Sequence, residues 1–191
     1  MTAELVAGTS GWWAAYTAYL LLLAGTAVER LVELRVSNRN ARWAFERGGR
    51  ETGRGHFGPM VLLHSGLILA CALEPLLAGR PFIAALAVPA AVLALASQAL
   101  RWWCIGTLGP RWNTRIVVVP GLPLVRRGPY RFLSHPNYVV VVLEGIALPL
   151  VATAWGTALV FTVLNAVLLL GFRIPAEERA LREALAAAPA G

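Results

Sequence analysis

Long apolar runs dominate this sequence and limit the folds that it can adopt. They cover about residues 12–34, 57–78, 82–105 and 138–172, and each is near or above the length that a bilayer crossing needs. Hydrophobic residues make up 58% of the chain, against roughly 45–50% in soluble domains. We therefore predict an all-α, polytopic membrane bundle that forms a single domain over residues 1–191.

The last apolar run is too long for one crossing. It extends over residues 138–172, and its predicted turn lies at Ala154 to Gly156. We therefore expect a helical hairpin there and about five transmembrane helices in all. The tail should form a short cytoplasmic amphipathic helix, with Pro175 in its first turn. Glu177 and Glu178 suit the positive N-terminal end of that helix.

Two loops connect these runs on one side of the predicted bundle. Loop two, residues 106–136, is rich in Gly, Pro and Arg, and its stretch "RIVVVPGLPLV" predicts extended backbone. The end of loop one, residues 35–56, overlaps "GRGHFG" at residues 53–58, which matches G-x-G-x-x-G. A dinucleotide-binding loop needs a preceding strand and a surrounding βαβ unit. Because an apolar span follows here instead, we predict no Rossmann sheet.

Arginine distribution predicts how the bundle is oriented. Arginines collect in loop one, loop two and the tail, whereas the turn at 79–81 contains Arg80 alone. Cytoplasmic loops carry such an excess of basic residues, so we place the C-terminus inside and the N-terminus outside the inner (plasma) membrane. The net charge of +7 follows from these loops, and no nucleic-acid partner is expected. The clustered arginines are Arg35, Arg39, Arg42, Arg47, Arg50, Arg54, Arg111, Arg115, Arg126, Arg127, Arg131, Arg173, Arg179 and Arg182.

Several charged side chains lie within the apolar runs, where they are costly and usually paired or functional. Glu29, Arg30 and Glu33 are candidates to pair with Arg101 in an ion network. Glu144 lies about two turns into the fourth run, where a carboxylate must be paired, protonated or exposed to a cavity.

The three histidines are His56, His64 and His135. Their spacings are not those of a known zinc site, so we predict no metal. A lone histidine within a membrane helix, such as His64, is either a helix–helix hydrogen bonder or a catalytic group.

The C-terminal half carries a specific combination of motifs. "GPYRFLSHPNY" is followed some forty residues later by "EERAL", and together they resemble the isoprenylcysteine carboxyl methyltransferase family. Members are integral membrane enzymes that bind S-adenosylmethionine and take a lipid substrate from the bilayer. The resemblance implies a cofactor pocket mainly from residues 106–191 and a lipid side mainly from 12–105. Its implied cofactor-binding residues are Gly128, Tyr130, His135, Pro136, Tyr138, Glu177 and Glu178.

This chain departs from the family pattern at three places. Ser134 replaces the usual arginine before His135, and Val139 or Val140 stands where a glycine is common. The family's aromatic tail after the second glutamate is absent from "REALAAAPAG". We expect cofactor binding to survive these changes, whereas specificity for a carboxyl acceptor does not follow from the motifs.

The N-terminal half resembles a bacterial subgroup associated with type III polyketide synthases, on "ERLVELRVSNRNARWAFERGGRETGRGHF" and "MVLLHSG". Its members methylate the hydroxyl of alkylpyrones or alkylresorcinols. Methylation of a phenol needs a base, for which the candidates are His56, His64 and Glu51, with Arg101 completing the catalytic set. His56 is slightly favoured for the proton, and His64 would then orient the ring.

Three other functions remain open at this stage. Two are carboxyl methylation of an isoprenyl thioether and methylation of a phospholipid amine. The third is a non-catalytic membrane module or small transporter, although a transporter should show an internal repeat and none is found. In each enzymatic case we expect a monomer whose lipid substrate enters from the bilayer.

The predicted orientation can be tested by cysteine labelling. In a background without Cys71 and Cys104, a cysteine at position 50 should resist a membrane-impermeant reagent added to intact cells. A cysteine at position 80 should react. Strong external labelling of position 50 would overturn the predicted orientation.

Overall fold

The computed structural model describes residues 2–186, and it describes side chains from residue 11 onward. Six α-helices dominate the described chain, which confirms the all-α prediction. Four helical stretches are long and apolar enough to cross a membrane, and α4 is a shorter apolar helix. The elements are α1 (Thr2–Phe45), β1 (Arg50–Thr52), α2 (Phe57–Leu77), α3 (Ala84–Leu108), β2 (Ile116–Val118), α4 (Pro136–Val151), α5 (Trp155–Leu168) and α6 (Ile174–Ala186).

Helix α1 extends well beyond its apolar run. The sequence predicted loop one to begin at residue 35, but the helix continues to Phe45. Side chains of this extension bind loop two: the Ser37 hydroxyl donates to Asn113 Oδ1 at 2.7 Å, and Asn40 Nδ2 donates to the Trp112 carbonyl at 2.7 Å. These contacts stabilise a helical extension that has no apolar run to mark it.

A two-stranded antiparallel sheet joins the two loops. Strand β1 pairs with β2, so that Arg50 lies opposite Val118 and Thr52 opposite Ile116. Extended backbone was predicted for the stretch that contains β2, and this is confirmed. Its partner was not predicted, because the three residues of "RET" are too few to show β-branched or alternating apolar character.

The predicted hairpin is formed by α4 and α5, with its turn at residues 152–154. This is two residues earlier than predicted. Thr153 adopts a φ of 52°, and its hydroxyl donates to the Pro81 carbonyl at 2.6 Å. That bond attaches the hairpin turn to the α2–α3 connection and fixes the position of the turn.

Helix α6 is not a separate tail helix, as the sequence suggested. A π-helical turn over Leu169–Arg173 connects it to α5, and the whole stretch Trp155–Ala186 is helical. Pro175 has no N–H to donate and its ring crowds the carbonyl four residues earlier. The wider turn just before it accommodates both effects within one continuous helix.

Tyrosines of α1 hold the bundle together in its apolar interior. The Tyr19 hydroxyl donates to the Leu148 carbonyl at 3.0 Å, and the Tyr16 hydroxyl donates to the Ala72 carbonyl at 2.6 Å. Gly145 on α4 lies against the Phe161 ring of α5, and a Cβ there would overlap that ring. These contacts set the spacing of α1, α2, α4 and α5.

Glu74 fixes the end of the bundle that lies opposite loops one and two. Its carboxylate accepts hydrogen bonds from the Arg80 guanidinium, from the Gly156 and Thr157 amides, and from the Thr157 hydroxyl. The first amides of a helix have no partner within the helix, so Glu74 of α2 acts as a distant cap for α5.

Replacement of Glu74 by alanine should lower the stability of the bundle. It removes the partner of two helix-terminal amides and of a guanidinium, at a cost of about 2 kcal/mol or more. Thermal unfolding in detergent should show a lower midpoint. The matched control is Glu46→Ala, because that side chain is 71% exposed and forms an ion pair with the neighbouring Arg47 alone among the described residues. Equal midpoints for both variants would contradict the capping role.

Candidate active site

A cavity of about 1160 Å³ opens within the bundle. Residues of α1, α2, α3, α4 and α6 and of the α3–α4 segment line it. Two of its apolar lining residues, Leu31 of α1 and Val61 of α2, are 55% and 42% exposed. The cavity therefore has an open apolar side that is formed by α1 and α2. Further apolar lining residues are Ala27, Leu34, Phe57, Met60 and Ile68.

The polar end of the cavity lies where α4 begins beside α6. His135 is the N-cap residue of α4, and its ring stacks on Tyr138 with centroids 5.5 Å apart. His135 Nε2 lies 3.5 Å from Glu178 Oε1, and the Tyr138 hydroxyl donates to Glu177. The "HPNY" and "EERAL" motifs thus meet in space, and all four side chains line the cavity.

Arg173 belongs to this polar end and was missed by the sequence interpretation. It ends the π-helical turn, is 4% exposed and lines the cavity. Nη2 donates to the Thr114 carbonyl, whereas Nε and Nη1 are buried without a hydrogen-bond partner among the described residues. In the sequence, Arg173 stands at the end of an apolar run. It was used there only as one of the arginines that predict the orientation of the bundle.

The turn of residues Gly128–Arg131, which precedes α4, packs against α3 beside the polar end of the cavity. Gly128 adopts a φ of 55°, and a Cβ there would overlap the Thr107 side chain of α3. Gly128 and Pro136 do not contribute to the cavity lining in the described chain, whereas Tyr130 does. Burial raises the pKa of Tyr130 above its ordinary value, so its hydroxyl remains protonated at neutral pH.

The candidate bases lie in different environments. His64 lines the cavity, and its Nδ1 lies 2.8 Å from the Met60 carbonyl. A carbonyl can only accept, so Nδ1 carries the proton in the neutral ring and Nε2 is the basic nitrogen. The ring packs edge-on against Phe161, with centroids 5.4 Å apart.

His56 and Glu51 lie beside the cavity instead of on it. Neither contributes to its lining within residues 2–186. The His56 ring packs against Phe172 with centroids 5.4 Å apart. The Glu51 carboxylate is paired with Arg54 at 3.2 Å and with Arg115 at 3.6 Å. The structure therefore brings His64 and Arg101, but not these two residues, to the cavity wall.

Five charged side chains of α1, α3 and α4 form what we call the arginine–glutamate network: Glu29, Arg30, Glu33, Arg101 and Glu144. Arg101 pairs with Glu144 and lies 3.4 Å from Glu33. Arg30 lies 2.9 Å from Glu33 and 3.6 Å from Glu144. The predicted pairing of α1 with Arg101 is thus present, and Glu144 is paired as well. Arg30, Glu33 and Arg101 line the cavity.

Comparison with known proteins places this arrangement in a class of membrane-embedded methyltransferases. Residues 87–183 match the isoprenylcysteine carboxyl methyltransferase (ICMT) family, and the chain belongs to that family. This confirms the resemblance at the family level and implies S-adenosylmethionine as methyl donor and a multi-pass membrane location. A relative, the uncharacterized protein YpbQ of Bacillus subtilis (strain 168), is 39% identical over 166 residues, which cover 86% of this chain and 97% of the relative. The narrower resemblance to polyketide-associated methyltransferases stays a prediction.

Proposed function

We propose that the chain transfers a methyl group from S-adenosylmethionine to an oxygen atom of a lipid that enters from the bilayer. The observation that carries this proposal is the continuity of one cavity. At one end it contains the polar cluster of His135, Tyr138, Arg173, Glu177 and Glu178, and elsewhere it is lined by exposed apolar side chains of α1 and α2. A water-soluble cofactor and an apolar chain can therefore occupy the same cavity from different sides.

The polar end fits the cofactor by the chemistry of its side chains. Arg173 has two buried nitrogens without a partner in the described residues, and these suit the carboxylate of the amino-acid part. Asn137 Oδ1, also buried and unpartnered there, is an acceptor that suits an ammonium or amino group. Glu177 and Glu178 supply carboxylates for the ribose hydroxyls.

The positive charge of the cofactor has matching surfaces as well. The stacked rings of His135 and Tyr138 offer aromatic faces, which attract cations. S-adenosylmethionine supplies an electrophilic methyl group on sulfur, so the protein has to orient the acceptor and, where needed, remove its proton.

For the acceptor, we propose the hydroxyl of a phenolic or pyrone polyketide lipid. The support is His64, whose basic Nε2 has no hydrogen-bond partner in the described part of the chain. In this reaction His64 Nε2 takes the hydroxyl proton, because a phenolate is a far better nucleophile than a phenol. The apolar wall formed by Leu31, Val61 and Ile68 would hold the alkyl chain.

A carboxylate of an isoprenylated cysteine is the second candidate acceptor. The family match favours it, and a carboxylate needs no base. The two acceptors therefore differ in whether His64 matters for turnover.

Cofactor binding can be tested with S-adenosylhomocysteine. His135→Ala and Glu178→Ala should each weaken its binding about tenfold or more, since each removes a hydrogen-bonding group at the polar end. Calorimetry on the purified protein in detergent measures this. Glu183→Ala is the matched control, because Glu183 is an exposed glutamate of the same helix. Unchanged affinity in both test variants would refute the assigned pocket.

The base can be tested through turnover of a long-chain phenol. His64→Ala should lower turnover by roughly 10²-fold while leaving S-adenosylhomocysteine affinity intact. Activity should return in part as the pH rises toward the phenol's own pKa, because the acceptor then ionises without a base. A loss in His56→Ala and not in His64→Ala would return the role to His56, and full activity in both variants would argue against a base.

A further inference from the structure

We infer that the arginine–glutamate network makes the acceptor site selective for an uncharged hydroxyl head group over a carboxylate. This inference rests on the proposed function. It concerns the network as a whole, since Arg30, Glu33 and Arg101 form part of the cavity wall and Glu29 and Glu144 pair with them.

Every guanidinium of the network is paired within it, and the network contains one carboxylate more than it has guanidiniums. Two guanidiniums, Arg30 and Arg101, face three carboxylates, Glu29, Glu33 and Glu144. Arg101 is held from two sides, by Glu33 of α1 and Glu144 of α4. Neither guanidinium is therefore available as the counter-charge of an incoming carboxylate.

Burial strengthens this effect. Glu33 is 3%, Arg101 4% and Glu144 6% exposed. Charges interact strongly where water is excluded, and like charges brought together at such a site cost several kcal/mol. A carboxylate head group beside Glu33 would meet this repulsion, whereas a neutral phenol would not.

Glu33 Oε1 and Arg101 Nε lie 3.4 Å apart, and both atoms are buried. An incoming carboxylate would therefore have to displace Glu33 to reach the guanidinium of Arg101.

A matched pair of ligands tests the inference. The pair is a long-chain meta-alkylphenol and the meta-alkylbenzoate with the same chain, which is ionised at neutral pH. Their affinities are measured in nanodiscs of a zwitterionic lipid with S-adenosylhomocysteine present. We expect the wild type to bind the phenol at least about tenfold more tightly. Glu33→Gln and Glu144→Gln should each reduce that preference by about tenfold, because each removes one negative charge and keeps the side-chain shape.

The ratio of the two affinities is compared between variants, so differences in how the ligands partition into the bilayer cancel. Glu46→Gln is the control, since it removes a carboxylate that is 71% exposed and lies outside the network, and it should leave the ratio unchanged. Glu33→Gln and Glu144→Gln are measured independently, so either variant that folds decides the question.

Two results would overturn the inference. One is a wild type that binds the benzoate as tightly as the phenol, and the other is an unchanged ratio in both network variants. Failure of the proposed function is seen separately, as an absence of S-adenosylhomocysteine binding to the wild type.

Discussion

The ion pairs of Arg101 are the contacts on which the rest of this bundle depends. A guanidinium at this depth must be paired with carboxylates, and Arg101 meets that requirement with Glu33 of α1 and Glu144 of α4. One side chain of α3 therefore joins three helices. Loss of one partner from such a buried set leaves an uncompensated charge, so these residues constrain the fold as strongly as they shape the cavity.

Polar contacts also fix the end of the bundle that lies opposite loops one and two. Glu74 caps α5 and pairs with Arg80, while Thr153 attaches the hairpin turn to Pro81. Between the two ends the helices meet mainly through apolar side chains, among them Leu67, Leu148 and Phe161. Apolar packing alone specifies little in a membrane, because lipid tails are as apolar as the side chains. The polar contacts therefore set the register of the helices.

The sequence was informative wherever the signal was local. The lengths of the apolar runs predicted about five membrane helices, and the family resemblance carried by "HPNY" and "EERAL" implied that both motifs contribute to one pocket. Contacts between distant segments were harder to infer. The extension of α1 to Phe45 depends on loop two, and the partner of β2 is a three-residue strand without a pattern of its own.

The site residues were also hard to assign where their roles depend on contacts between distant segments. The sequence favoured His56 only slightly over His64, because both lie near the start of the second run. In the structure His56 packs against Phe172, whereas His64 lines the cavity. This difference in surroundings is what distinguishes the two histidines. Arg173 could not be assigned to the pocket without the turn that directs it inward.

That π-helical turn fixes the rotation of the last helix about its own axis. Leu169–Arg173 contains one residue more per turn than an α-helix would. Were the same residues wound as regular α-helix, everything downstream would rotate by about 100°. Glu177 and Glu178 would then leave the side of the helix that meets His135 and Tyr138. The direction of both carboxylates therefore depends on the winding of a turn that carries neither of them.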